Sequence, residues 1–193
     1  MIEILHPVDD RDRIAELADQ YDVVDAWNIA REELVELFRL DPIRGYPGTG
    51  DADLITRYIV YPWRQAMVRL PDAETFYRLR TARNRYLITD AEQRRWSGAV
   101  VAVAGLSVGA SILHACAMTG ARTLRIADPD TLGLTNLNRL AGSVCDLGKS
   151  KAELARRRIL EADPYTDVTV FGDGYTARSE ERRVGKECRS RWS

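Results

Sequence analysis

The chain opens with apolar positions at helical spacing. Ile14, Leu17 and Ala18, then Ala30, Leu34, Leu37 and Phe38, predict two helices between Asp9 and Asp41, and Asp41-Pro42 closes the second. Gly45 to Asp51 is rich in glycine and proline and reads as a loop. From Leu54 to Leu70 β-forming residues are interrupted by Pro62, which predicts two short strands joined by a turn. Pro71 is placed as the first residue of a helix running to about Arg83. Thr89-Asp90-Ala91-Glu92 has capping-box spacing and starts a short helix ending near Trp96. Residues 1–97 therefore predict a mostly helical N-terminal region.

The pattern changes at Gly98. Ala99 to Ala104 is an apolar run without alternation, which predicts a central parallel strand covered on both faces. The small-residue loop Gly105-Leu106-Ser107-Val108-Gly109 follows, then a helix with an apolar face of Val108, Ile112 and Cys116 that stops near Gly120. Thr123 to Ala127 is a second strand. Ser150-Lys151-Ala152-Glu153 caps another helix, which ends at Asp163-Pro164, and Asp167 to Phe171 is a third strand. Strand, helix, strand, helix, strand is one half of a nucleotide-binding doubly wound sheet. The predicted class is α/β: a truncated Rossmann-like doubly wound parallel sheet over residues 98–177, behind the helical region.

Composition narrows the setting. Lysine plus arginine number 28 against 29 acids, so no global field points to nucleic acid or a membrane. The apolar run from Gly98 to Leu106 is far short of the roughly 20 residues that span a bilayer. Cys116, Cys145 and Cys188 form no Cys-x-x-Cys pair, and with no signal-peptide pattern at the N-terminus they predict a reducing cytoplasm. Residues 178–193 put six cations into sixteen positions with almost no apolar periodicity. They read as a non-native or disordered basic tail, similar to read-through of cloning sequence. Ser143 to Ser150 ends in Gly-Lys-Ser, but it lacks the opening glycine and a preceding strand, so it is no P-loop.

Candidate chemistry clusters after the first predicted strand. A phosphate at a strand-to-helix turn needs backbone N–H groups and little side-chain bulk, and Gly105, Ser107 and Gly109 offer that. Asp128 lies nineteen residues beyond Gly109, at the end of the second strand, where a carboxylate accepts hydrogen bonds from a ribose. To this point NAD and ATP fit equally well. The following cations separate them, because a triphosphate and its departing pyrophosphate call for guanidinium or ammonium groups. Arg139 and Lys151 stand on the crossover from the second strand, and Asn136 could hold the loop or bind a phosphate oxygen.

The ordered set Asp128-x-Asp130, Asn136-x-x-Arg139 and Gly148-x-x-Lys151 resembles the ThiF/MoeB/HesA superfamily of adenylyltransferases that activate ubiquitin-like proteins. The resemblance covers about Thr81 to Phe171. It implies ATP with Mg2+ as cofactors, and a reaction that adenylates the C-terminal carboxylate of a small ubiquitin-like or sulfur-carrier protein. It also implies a homodimer when the protein is intact. By resemblance Asp128 binds ribose with Asp130 in the same turn, Asn136 and Arg139 match the family's Ser-Asn-Leu-x-Arg segment, and Lys151 contacts phosphate. Arg85 is the candidate for an arginine that reaches the nucleotide, often from the partner subunit. The family's Gly-x-Gly-Gly-x-Gly loop is here Ala104-Gly105-Leu106-Ser107-Val108-Gly109, and Leu106 in place of glycine predicts crowding of the phosphates. The helical lead-in and the Gly-Leu-Ser-Val-Gly loop are similar to a subgroup that joins a ThiF-like module to a nitroreductase-like flavin domain. The family's metal-binding aspartate and zinc cysteines lie beyond the third strand, so the resemblance implies an incomplete, inactive fragment. An NAD-binding oxidoreductase and a non-catalytic nucleotide-binding scaffold are the alternatives.

Overall fold

A computed structural model describes residues 1–40 and 55–174. The loop expected at Gly45–Asp51, the helix stop at Asp41-Pro42 and the basic tail lie outside the described residues. The chain divides into two compact units, Met1–Leu87 and Ile88–Ser193.

The first unit corrects the expectation of a mostly helical region. It holds a four-stranded mixed sheet with helices α1 (Arg11–Ala18), α2 (Trp27–Leu40) and α3 (Ala73–Arg80). The sheet contains β1 (Glu3–Leu5), β2 (Asp22–Asp25), β3 (Thr56–Tyr61) and β4 (Ala66–Pro71), in the order β1-β3-β4-β2. The predicted strand pair is β3 and β4, antiparallel with Thr56 opposite Pro71 and Tyr61 opposite Ala66. Strands β1 and β2 escaped sequence reading because each is short and sits at a sheet edge. All four residues of β2 are exposed and two are aspartates, so neither apolar run nor alternation announces them. Pro71 closes β4 rather than opening α3; the helix is capped by Asp72, whose carboxylate accepts from Thr75 N at 2.9 Å. Leu5, Leu17, Val60 and Met67 form this unit's core.

The second unit begins with α4 (Asp90–Ser97), capped by the predicted box. Thr89 N and Oγ1 donate to Glu92, and these bonds hold the Glu92 carboxyl below the usual carboxylate range. Gln93 and Trp96 then tie α4 to Thr119 through bonds of 3.0 and 3.1 Å. Strands β5 (Val100–Ala104), β6 (Thr123–Ala127) and β7 (Asp167–Phe171) are parallel, in the order β5-β6-β7. Helices α5 (Gly109–Met118) and α6 (Lys151–Ala162) alternate with them, as the pattern predicted.

Two expectations need correction here. β5 is an edge strand among the described residues, not a central one covered on both faces. Val101 and Val103 pack into the core with Leu113, Leu124, Ile126 and Ile159, whereas Val100, Ala102 and Ala104 are exposed. The apolar face of α5 is also rotated: Leu113 and Ala117 are buried, while Val108 and Ile112 are exposed. Almost every α5 position is apolar, so periodicity could not select the buried side; the entry from the loop sets it. No helix among the described residues is long and apolar enough to cross a membrane.

Candidate functional site

The ends of β5 and β6 and the crossover to α6 meet in one hydrogen-bonded cluster. β5 leaves its sheet at Gly105, whose φ of 81° is the left-handed conformation that glycine adopts without penalty. Gly105 N donates to Ala127 O at 2.8 Å, which ties the loop to β6. At the far end of the loop, a Cβ on Gly109 would stand 2.7 Å from Val103 Cγ1, so α5 can approach β5 only with glycine there. Leu106 between them is 1% exposed and joins the core beside Leu113 and Leu124. The predicted crowding of the phosphates is therefore corrected: the side chain points into the core, away from the loop's open side.

Asp128 is the hub. It is 4% exposed, and its two carboxylate oxygens accept from Leu106 N at 2.5 Å and Asp130 N at 2.8 Å. The carboxylate thus ties the loop after β5 to the segment after β6, a role beyond the ribose contact expected from position alone. Asp130 in turn receives Lys151 Nζ at 2.8 Å, and its carbonyl accepts from Lys151 N at 3.0 Å. The pair is lopsided: the Lys151 side chain is 7% exposed and that of Asp130 is 67% exposed. Asn136 Oδ1 accepts from Gly133 N at 2.9 Å and so holds the crossover turn.

Arg139 reaches back to the loop. Its Nε donates to Ser107 Oγ at 2.8 Å, and Nη1 donates to Asn138 Oδ1 at 3.0 Å. Ser107, Asp128, Asp130, Arg139 and Lys151 are thus linked directly or through Leu106. Arg85 lies in a short 3-10 turn, Ala82–Tyr86, in the first unit. Sequence reading missed the hydroxyl of Ser107 as a partner of Arg139. The available signal was a serine where the resemblance has glycine.

The donor set suits an anion. The amide N–H groups of Ser107, Val108 and Gly109 stand at the start of α5 with no acceptor among the described residues. Gly105 opens onto free space, with nothing within 4 Å of where a Cβ would lie. Arg139 is exposed beside them. A divalent metal fares differently: no group of three or more His, Cys, Asp and Glu among the described residues could hold one. A cavity of about 360 Å3 lies between α5, α6 and the crossover, and shares only Arg139 with the predicted set.

Comparison with known proteins identifies the family. The ThiF family model matches residues 81–187, more than half of the chain. The chain belongs to the ThiF family. Protein MT1398 of Mycobacterium tuberculosis is 43% identical over 133 residues, 67% of this chain and 19% of that protein. tRNA threonylcarbamoyladenosine dehydratase 2 of Saccharomyces cerevisiae is 30% identical over 43% of this chain and 19% of its own length. The crystal structure of the Escherichia coli tRNA N6-threonylcarbamoyladenosine dehydratase TcdA superposes with a TM-score of 0.53 at 28% identity, covering 56% of this chain and 47% of that one. The same enzyme in complex with ATP gives a TM-score of 0.52. The chain thus spans about a fifth of the length of these curated relatives and under half of the dehydratase.

Proposed function

We propose that the second unit carries a nucleotide site of the ThiF type that binds ATP. The activity it serves is adenylation of a carboxylate, that of the C-terminus of a small ubiquitin-like or sulfur-carrier protein. The observation that carries this reading is the link from the α5 N-terminus to Arg139. Amides with no acceptor among the described residues stand beside a guanidinium where β5 ends, which is the end of an open α/β sheet at which ligands bind. A dinucleotide needs only the helix N-terminus for its pyrophosphate; an added cation favours a triphosphate.

Within the site Asp128 faces the ribose side of the nucleotide while clamping the loop. Ser107, Val108 and Gly109 donate backbone N–H groups to phosphate, and Gly105 lets the nucleotide approach the backbone. Arg139 supplies positive charge to the phosphates; Lys151 does so from its pair with Asp130, and Asn136 fixes the turn that presents Arg139. Arg85 completes the phosphate contacts, from a partner subunit of a homodimer. ATP, when bound, supplies an adenylyl group and a pyrophosphate leaving group. Mg2+ that accompanies ATP is held mainly by phosphate oxygens with one or two carboxylates, and no step is assigned to it here. The cytoplasm is the proposed setting.

ATP–pyrophosphate exchange that depends on an added carrier protein tests this reading. Nucleotide binding without exchange for any carrier would favour the scaffold alternative. Likeness to the two tRNA dehydratases favours a second reading, in which ATP activates a group carried on tRNA. Exchange dependent on tRNA in the same assay would select it.

A further inference from the structure

We propose that the Ser107 hydroxyl is a positioning residue for Arg139, holding its guanidinium over the phosphate loop before nucleotide arrives. The inference rests on the ATP reading and adds a part that family membership does not supply, because the resemblance has glycine at this position. Ser107 Oγ accepts from Arg139 Nε at 2.8 Å, across 32 residues of sequence. Asn138 Oδ1 and Thr135 O take up Nη1 at 3.0 and 3.4 Å. Two of the three guanidinium nitrogens are therefore fixed, and Nη2 has no partner among the described residues.

An exposed arginine free to rotate loses rotamer entropy when it captures a ligand. One already held by its Nε loses less, and that difference appears as affinity. The hydroxyl also keeps its own proton. An acceptor of the Arg139 bond, it has no acceptor of its own among the described residues, so its O–H is open for a phosphate oxygen. With the amides of Ser107, Val108 and Gly109, serine turns a backbone-only cradle into one with a side-chain donor and a pre-set cation. Both additions act on the outer phosphates, where charge is greatest, and neither is needed for adenosine or ribose.

The test is calorimetric titration of the 193-residue chain with ATP and with AMP, for the unmodified protein, Ser107→Ala, Arg139→Ala and the double variant. Ser107→Ala is expected to weaken ATP binding about three- to tenfold, the worth of one hydrogen bond. AMP binding should change less than about twofold, and in the Arg139→Ala background Ser107→Ala should have little further effect on ATP. ATP binding that is unchanged or tighter in Ser107→Ala overturns the inference alone. So does an equal loss for ATP and AMP, or a loss that persists without Arg139, since either means the serine merely shapes the loop. No ATP binding by the unmodified chain overturns the ATP reading and the inference together.

Discussion

Replacing Asp128 with alanine should unfold the second unit more readily, before any effect on ligand is considered. The carboxylate is 4% exposed and accepts two backbone N–H groups. Leu106 N is the deeper donor; its residue is 1% exposed, so water cannot replace the lost acceptor. That orphaned donor costs about 1–3 kcal/mol. Asp130 sits at an exposed turn, and its amide can turn to water at a cost of about 0.5–1 kcal/mol. The expected total is about 1.5–4 kcal/mol. Asp128→Asn keeps one acceptor oxygen but turns an NH2 group toward the other amide, so it should fall between wild type and alanine. Urea denaturation followed by tryptophan fluorescence, with Trp96 in the second unit, measures the difference. On the scaling for domains near 100 residues, the melting temperature of that unit should fall by on the order of 10 °C. Hydrogen exchange at the Leu106 amide should accelerate in both variants. A loss below about 0.5 kcal/mol in Asp128→Ala, with the Leu106 amide still protected, would refute the clamp.

Gly109→Ala should destabilise by about 1–3 kcal/mol through the contact with Val103, and Val103→Ala in the same chain should recover part of the loss by giving the new methyl room; denaturant midpoints of the two single variants and the double variant decide it. Removing either half of the Lys151–Asp130 pair should have unequal effects, because the lysine is buried and the aspartate is not. Asp130→Ala leaves a buried ammonium without its partner and should cost about 2 kcal/mol or more, whereas Lys151→Met should cost under about 1 kcal/mol. Equal losses in urea denaturation would show that the lysine finds another partner or water.

Legibility in the sequence followed burial. The three strands of the second unit and both of its main helices were readable because their apolar runs are bounded by turn residues and N-caps, as at Ser150, where the expected box keeps only its serine half. β1 and β2 were not, since a three-residue edge strand and an exposed Asp-Val-Val-Asp carry no periodic signal. The Asp, Arg and Lys of the candidate site could be picked out by order and spacing. Their partners could not, because the bonds of Leu106 to Asp128 and of Arg139 to Ser107 join residues 22 and 32 positions apart. Leu106 shows the limit most plainly. Its identity suggested bulk against a phosphate, and only the backbone direction at Gly105 reveals that the side chain enters the core.

Titrating the chain with ATP and with NAD, each with and without Arg139→Ala, separates an ATP site from a dinucleotide site. ATP should bind more tightly than NAD, and Arg139→Ala should weaken ATP at least about tenfold while changing NAD little, as expected for a charge-assisted contact to outer phosphates. NAD binding as tight as ATP, with the same loss for both in Arg139→Ala, would contradict an ATP site.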